Sequence, residues 1–170
     1  AAAVRVGDRL GSGDAGGAKS AAAATVALIL SCELFLSSGV VAFRGRIARA
    51  YSSDADVLRL CDRLLPVLAS FMVFDGCQAV MAGALRGAGK QDAAASINVV
   101  AFYAVGLPLS AWLGLGLQWG VVGIWAGIAL AVAIQVVCYG AVLYGLDWAA
   151  AVDAAARRNN NNNNNNTTGN

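Results

Sequence analysis

Between Ala93 and Leu146 the chain runs for 54 residues without an Asp, Glu, Lys or Arg. A single helix of that length would reach about 80 Å at 1.5 Å per residue. The hydrocarbon core of a bilayer is only about 30 Å thick. The run must therefore fold back on itself inside a membrane. Composition agrees, with 58% hydrophobic and 13% charged residues, where a soluble domain carries about 25% charged. A soluble globular enzyme is excluded. A net charge of +2 supplies no basic field for nucleic acid, so no nucleic-acid partner is expected.

Four apolar stretches are long enough to cross, and they predict an all-α, multi-pass membrane bundle. They cover residues 21–43, 64–85, 93–115 and 121–146. The first ends at Arg44, Arg46 and Arg49, which open a positively charged connection. Ser53-Asp-Ala-Asp56 predicts an N-cap at Ser53 for a helix that continues into the second span. Pro66 and Pro108 fall inside apolar helices, where a proline kinks the axis and neighbours satisfy the freed carbonyl. Three glycines and Trp119 in Leu113–Gly120 predict a tight turn at headgroup level.

Loop charges orient the bundle. Arg5, Arg9, Lys19, Arg86, Lys90, Arg157 and Arg158 fall on one side, seven in all, against five on the other. The richer side is read as cytoplasmic. Residues 147–170 form a cytoplasmic tail whose asparagine tract, Asn159–Asn166, is expected to be disordered, because it has no apolar area to bury. Residue 1 is Ala, and the sequence is read as a piece of a longer protein.

The chemistry inventory is short. The chain has no His, which removes the usual nucleophile–base pairs and the commonest metal ligand. Its four cysteines have no metal-type spacing, and no cofactor is expected. LGSGDAGGAK lacks the spacing of a phosphate-binding loop. Gly83–Gly87 and Gly123–Gly127 are GxxxG pairs, read as helix packing. The four tryptophans are read as interface anchors and filler.

Two carboxylates remain inside the apolar spans. Glu33 lies near the midpoint of the first and Asp75 at the centre of the second. An ionisable group at that depth costs roughly 2.5–3.5 kcal/mol on insertion scales, so it should face the bundle interior or a wet cavity. Gln78 follows Asp75 at i+3, and Ala79 and Ala82 leave space on the same face. Gln91, Asn98 and Phe102 make a second polar stripe in the third span. Together the stripes predict a wet cleft lined by Gln78 and Asn98. Against this stands a plainer reading, in which Glu33 and Asp75 are structural and Gln78 and Asn98 only hydrogen-bond neighbouring helices.

Four segments, in order, resemble one family. AAAVRVGDRLGSGDAGGAK resembles the loop entering the ninth helix of the multidrug and toxic compound extrusion (MATE) transporters. FDGCQAVMAGALRGAGKQ resembles their tenth helix and the loop after it. The stretches from Ile97 to Ser110 and from Gly120 to Gln135 resemble the eleventh and twelfth. The pattern is nearest the eukaryotic branch and covers residues 1–146. Asp8 departs from it, standing where the family usually has Asn.

The resemblance implies a two-lobed, all-helical antiporter of which this chain holds the later part of the second lobe. It implies exchange of organic cations or other amphiphilic compounds for protons or sodium, by alternating access, in a plasma or vacuolar membrane. It places Asp75 at the acidic, cation-coupling position of the tenth helix, and the reading of the residues sets Gln78, Asn98, Tyr103 and Glu33 as cavity lining around it. Tyr103 matches the second aromatic of a Tyr-Tyr pair whose first is Phe102 here. The first lobe is then the partner that lies outside this chain. Two alternatives stay open on the residues alone. One is a small four-helix proton-coupled exporter using Glu33. The other is a membrane scaffold subunit that transports nothing.

Overall fold

A ten-residue helix, α1 (Ala2–Gly11), opens the fold where the sequence reads as a loop. Its reason lies in the spacing of Ala2, Val6 and Leu10, which fall at i, i+4 and i+8 and are all buried. The glycines confine the loop to a short turn around Gly13, which takes a positive φ of 79°. Asp14 then caps α2 (Ala15–Tyr51), its carboxylate accepting the Gly17 N–H at 2.7 Å.

The computed structural model describes residues 2–168, and the fold over them is all-α. Four helical segments are long and apolar enough to cross a membrane: α2, α3 (Ala55–Gly87), residues Gln91–Gly116, and α6 (Gly120–Tyr144). The four expected spans are therefore present; the helices of the first three extend past the apolar core, and α6 ends at Tyr144, two residues short of Leu146. The basic connection after Phe43 is itself helical, since α2 continues to Tyr51 and only residues 52–54 separate it from α3. The cap of α3 is Asp54 rather than Ser53. Its Oδ1 accepts the N–H groups of Asp56 at 2.7 Å and Val57 at 3.3 Å, while Ser52 Oγ accepts the Asp54 N–H.

The third span is not uniform. It begins as α4 (Gln91–Val99), widens into a π-helical segment at Val100–Gly106, returns to α5 (Leu107–Ala111), and widens again at Trp112–Gly116. Pro108 has no N–H to give an α-helical ladder, and the wider turn just before it carries an i→i−5 bond from Leu107 N–H to the Phe102 carbonyl. The turn into α6 uses left-handed backbone at Gln118 and Gly120. Pro66, by contrast, stays within a continuous α3.

Helix α3 stands at the centre, packed against α1, α2, α4 and α6. The core gathers at the end of the bundle where α1, the C-terminal end of α3 and α7 (Trp148–Thr168) meet, and it is built mostly of alanine around Val6, Leu10 and Leu85. Small residues let the helices approach closely. Both GxxxG pairs serve this end. Gly87 lies against the backbone of Ala3, and Gly123 and Gly127 against the backbone of Leu113 and Ser110. Large apolar side chains on α2 instead face outward, Leu28, Leu34 and Phe35 among them.

The tail begins as a docked helix. Asp147 Oδ1 accepts the Ala149 and Ala150 N–H groups and starts α7, Ala151 buries against the core, and the backbone helix continues through Asn159–Asn166 to Thr168.

Candidate functional site

A polar cavity of about 520 Å³ opens between α3, α4 and α6. One wall comes from α3, where Gln78, Ala79, Ala82 and Arg86 recur at helical spacing. The second comes from α4, with Gln91, Asp92 and Asn98, and Tyr139 of α6 closes the back. The alanines on α3 make the room. Arg86 and Asp92 bring one charge of each sign to the lining.

Behind the lining lies a buried hydrogen-bond network. Gln135 of α6 is fully buried, and its Nε2 donates to Asn98 Oδ1 at 2.8 Å and to the Tyr139 hydroxyl at 2.9 Å. The Tyr139 hydroxyl in turn donates to the Ala94 carbonyl at 2.9 Å. Gln135 Oε1 is buried and has no partner among the described residues. The network ties α6 to α4 and fixes Asn98 at the cavity wall. A buried amide left without such partners would cost free energy, so the network also sets the register of the two helices.

The residues expected to share one cleft are distributed. Gln78 and Asn98 line the polar cavity. Asp75 sits half-buried on α3, one turn before Gln78 and on the same face by spacing, outside the lining itself. Tyr103 is 69% exposed and lies in a neighbouring shallow hollow of about 310 Å³, with Phe102 and Leu107 and with Asn98 shared between the two. Phe102 thus leaves the stripe begun by Gln91 and Asn98, at the point where the π turns start. Glu33 is in neither. It lies at the α2–α3 contact on the backbone of Gly76, with Oε2 buried and unpartnered among the described residues.

Gln135 and Tyr139 were not singled out by the sequence reading. A signal existed, since Gln135 is the sole amide in α6, with a tyrosine at i+4 on the same face. Trp125, read as filler, meets Phe71 edge-on at 5.6 Å between α6 and α3. Among the described residues no group of His, Cys, Asp or Glu could hold a metal ion.

The MatE family model matches residues 1–112. The chain belongs to the MatE family. Relatives include multidrug and toxin extrusion protein 2 of Mus musculus, 30% identical over 90% of this chain and 27% of that protein, and its Homo sapiens namesake, 33% identical over 88% and 25%. Protein DETOXIFICATION 17 of Arabidopsis thaliana is 32% identical over 87% of this chain and 31% of its own length. Among solved structures, the eukaryotic MATE transporter AtDTX14 superposes with a TM-score of 0.86 at 27% identity, over 92% of this chain and 35% of that one. The chain spans about a quarter to a third of the length of the curated relatives just named. As a MatE member with four membrane-crossing segments, it is an integral, multi-pass membrane protein.

Proposed function

We propose that this chain forms the later part of the second lobe of a secondary antiporter. That antiporter extrudes organic cations or other amphiphilic compounds in exchange for protons or sodium, by alternating access, with the first lobe as its necessary partner. The observation that carries the reading is the α3 face on which Asp75 is followed by Gln78, Ala79 and Ala82, the last three lining a polar cavity between membrane-crossing helices. Membership of a family whose relatives are named for multidrug and toxin extrusion supports it.

In this reading Asp75 is the coupling group. A carboxylate next to a wet cavity holds either a proton or a substrate cation, and competition for one group couples two opposed fluxes as the lobes rock. No resident cofactor is required, only the exchanged ion. Gln78 and Asn98 supply neutral polar contacts in the cavity, and Tyr103 presents its aromatic face in the hollow beside it. A complete four-helix exporter working through Glu33 is less well supported, because Glu33 packs on Gly76 at the α2–α3 contact and does not line the polar cavity.

The test is Asp75→Asn in the full-length protein, reconstituted in liposomes with an imposed pH gradient and a fluorescent organic cation. Gradient-driven efflux should be abolished while expression and membrane delivery stay at the unmodified level. Undiminished transport by that variant would remove Asp75 from the mechanism.

A further inference from the structure

At the end of the bundle away from the alanine core, α2 and α3 enclose a second cavity, of about 400 Å³, which the transport reading does not use. Arg44 and Arg49 of α2 and Arg59 and Arg63 of α3 line it, with Asp62 as the one acid, so the lining carries four positive charges against one negative. Arg44 Nε is paired with Asp62 at 2.5 Å, and Arg59 with Asp56 on its own helix. Arg49 and Arg63 make no ion pair among the described residues. Gly45 and Ala48 leave the space between the helices open. Two of the four guanidinium groups are thus compensated by carboxylates, and the two that are not leave the lining net positive, which favours an anion between them.

The depth of the cavity narrows the kind of anion. Arg44 directly follows Phe43, the last residue of the first apolar run, and Arg63 directly precedes Leu64, the first of the second. Both arginines therefore stand where hydrocarbon gives way to headgroups. Arg46 lies over the Phe43 ring at 5.5 Å, an arrangement suited to that boundary. Guanidinium forks match phosphate oxygens two at a time. We propose that this cavity binds a phosphate group, presented either by an anionic phospholipid headgroup or by soluble phosphate.

The experiment is native mass spectrometry of the purified full-length protein in detergent, titrated with phosphatidylglycerol, phosphatidylcholine or inorganic phosphate. The double variant Arg49→Gln with Arg63→Gln removes the two cations that hold no ion pair, and its melting temperature checks that the fold survives. Arg5→Gln with Lys90→Gln, at the opposite end, is the control. Phosphatidylglycerol should bind in preference to phosphatidylcholine, and its affinity should fall by about tenfold or more in the double variant but not in the control. Inorganic phosphate that displaces the lipid assigns the site to soluble phosphate, and lipid retained against it assigns the headgroup. Equal binding by the folded double variant, or no binding of phosphatidylglycerol or phosphate above the phosphatidylcholine level, overturns the proposal.

Discussion

The side chain of Glu33 rests on the backbone of Gly76, so closely that a Cβ on Gly76 would come within 2.7 Å of Glu33 Cγ and Oε1. A membrane-depth carboxylate is thus accommodated by a glycine on the facing helix, the residue directly after Asp75. Gly76→Ala forces either the glutamate or the helix to move, at a cost of about 1–3 kcal/mol for overpacking. The melting temperature of the purified protein should fall accordingly. Glu33→Ala removes the obstacle together with an oxygen that has no partner among the described residues, so adding it should recover most of the loss. Strictly additive effects of the two substitutions would show that the contact is not what constrains them.

The same pair shows where sequence reading stopped. Charge-free length fixed the class and the number of crossings, and helical spacing placed Gln78 and Asn98 on faces that do line one cavity. Spacing within one helix cannot tell which neighbour a face meets. Glu33 and Asp75 lie on separate helices with no local signal joining them, and only the α2–α3 packing reveals Gly76 under Glu33. The third span misled for another reason. A stripe drawn at α-helical spacing drifts once π turns intervene, which is why Phe102 and Tyr103 fall in a separate hollow. Gln135 was readable as a lone amide in an apolar helix, but its partners were not.

Tyr139→Phe tests the network behind the cavity. Tyr139 is 2% exposed, and its hydroxyl both accepts from Gln135 and donates to the Ala94 carbonyl. Phenylalanine keeps the ring and removes both bonds, leaving the buried Gln135 with Asn98 as its one remaining partner among those described. The expected loss is about 1–3 kcal/mol. Asn98→Ala should cost less, because Asn98 is exposed and its position can be taken by solvent. Thermal melts of the two variants decide it, and an equal or larger loss for Asn98→Ala would reverse the ranking.

The cap at the start of α2 makes stability depend on pH. The Gly17 N–H bond holds the Asp14 carboxyl below its ordinary value of 3.8, outweighing the opposing effect of desolvation, and the Arg9 guanidinium at 3.1 Å adds to the lowering. Because the folded value is the lower one, the cap's contribution is present above 3.8 and is lost as pH falls through the depressed value. The melting difference between the unmodified protein and Asp14→Ala should therefore be constant above 3.8 and close below it. Gly17→Ala should mimic the loss at every pH, since a Cβ there would meet the Asp14 carboxylate at 2.0–3.0 Å. A gap that persists well below 3.8 would show that something other than the ionised cap is lost.

Two glycines of α6 should respond to the same substitution in opposite directions. A Cβ on Gly127 would lie 2.5 Å from the backbone N and Cα of Ser110, whereas a Cβ on Gly140 would meet nothing within 4 Å. Unlike the Glu33 side chain, the Ser110 backbone cannot swing aside. It belongs to α5, held between two π segments, and its hydroxyl donates to the Ile124 carbonyl at 3.0 Å. Gly127→Ala must push the two helices apart, breaking that bond and opening the Gly123–Leu113 contact next to it. The cost should reach or exceed the usual overpacking range of about 1–3 kcal/mol. Gly140→Ala adds a methyl in open space and removes backbone freedom from the unfolded chain, so it should be neutral or stabilise by up to about 1 kcal/mol. Melting temperatures of the two variants, measured side by side in one detergent, give the comparison. A Gly127→Ala protein that melts with or above the Gly140→Ala protein would show that the third span and α6 are not held by this close approach.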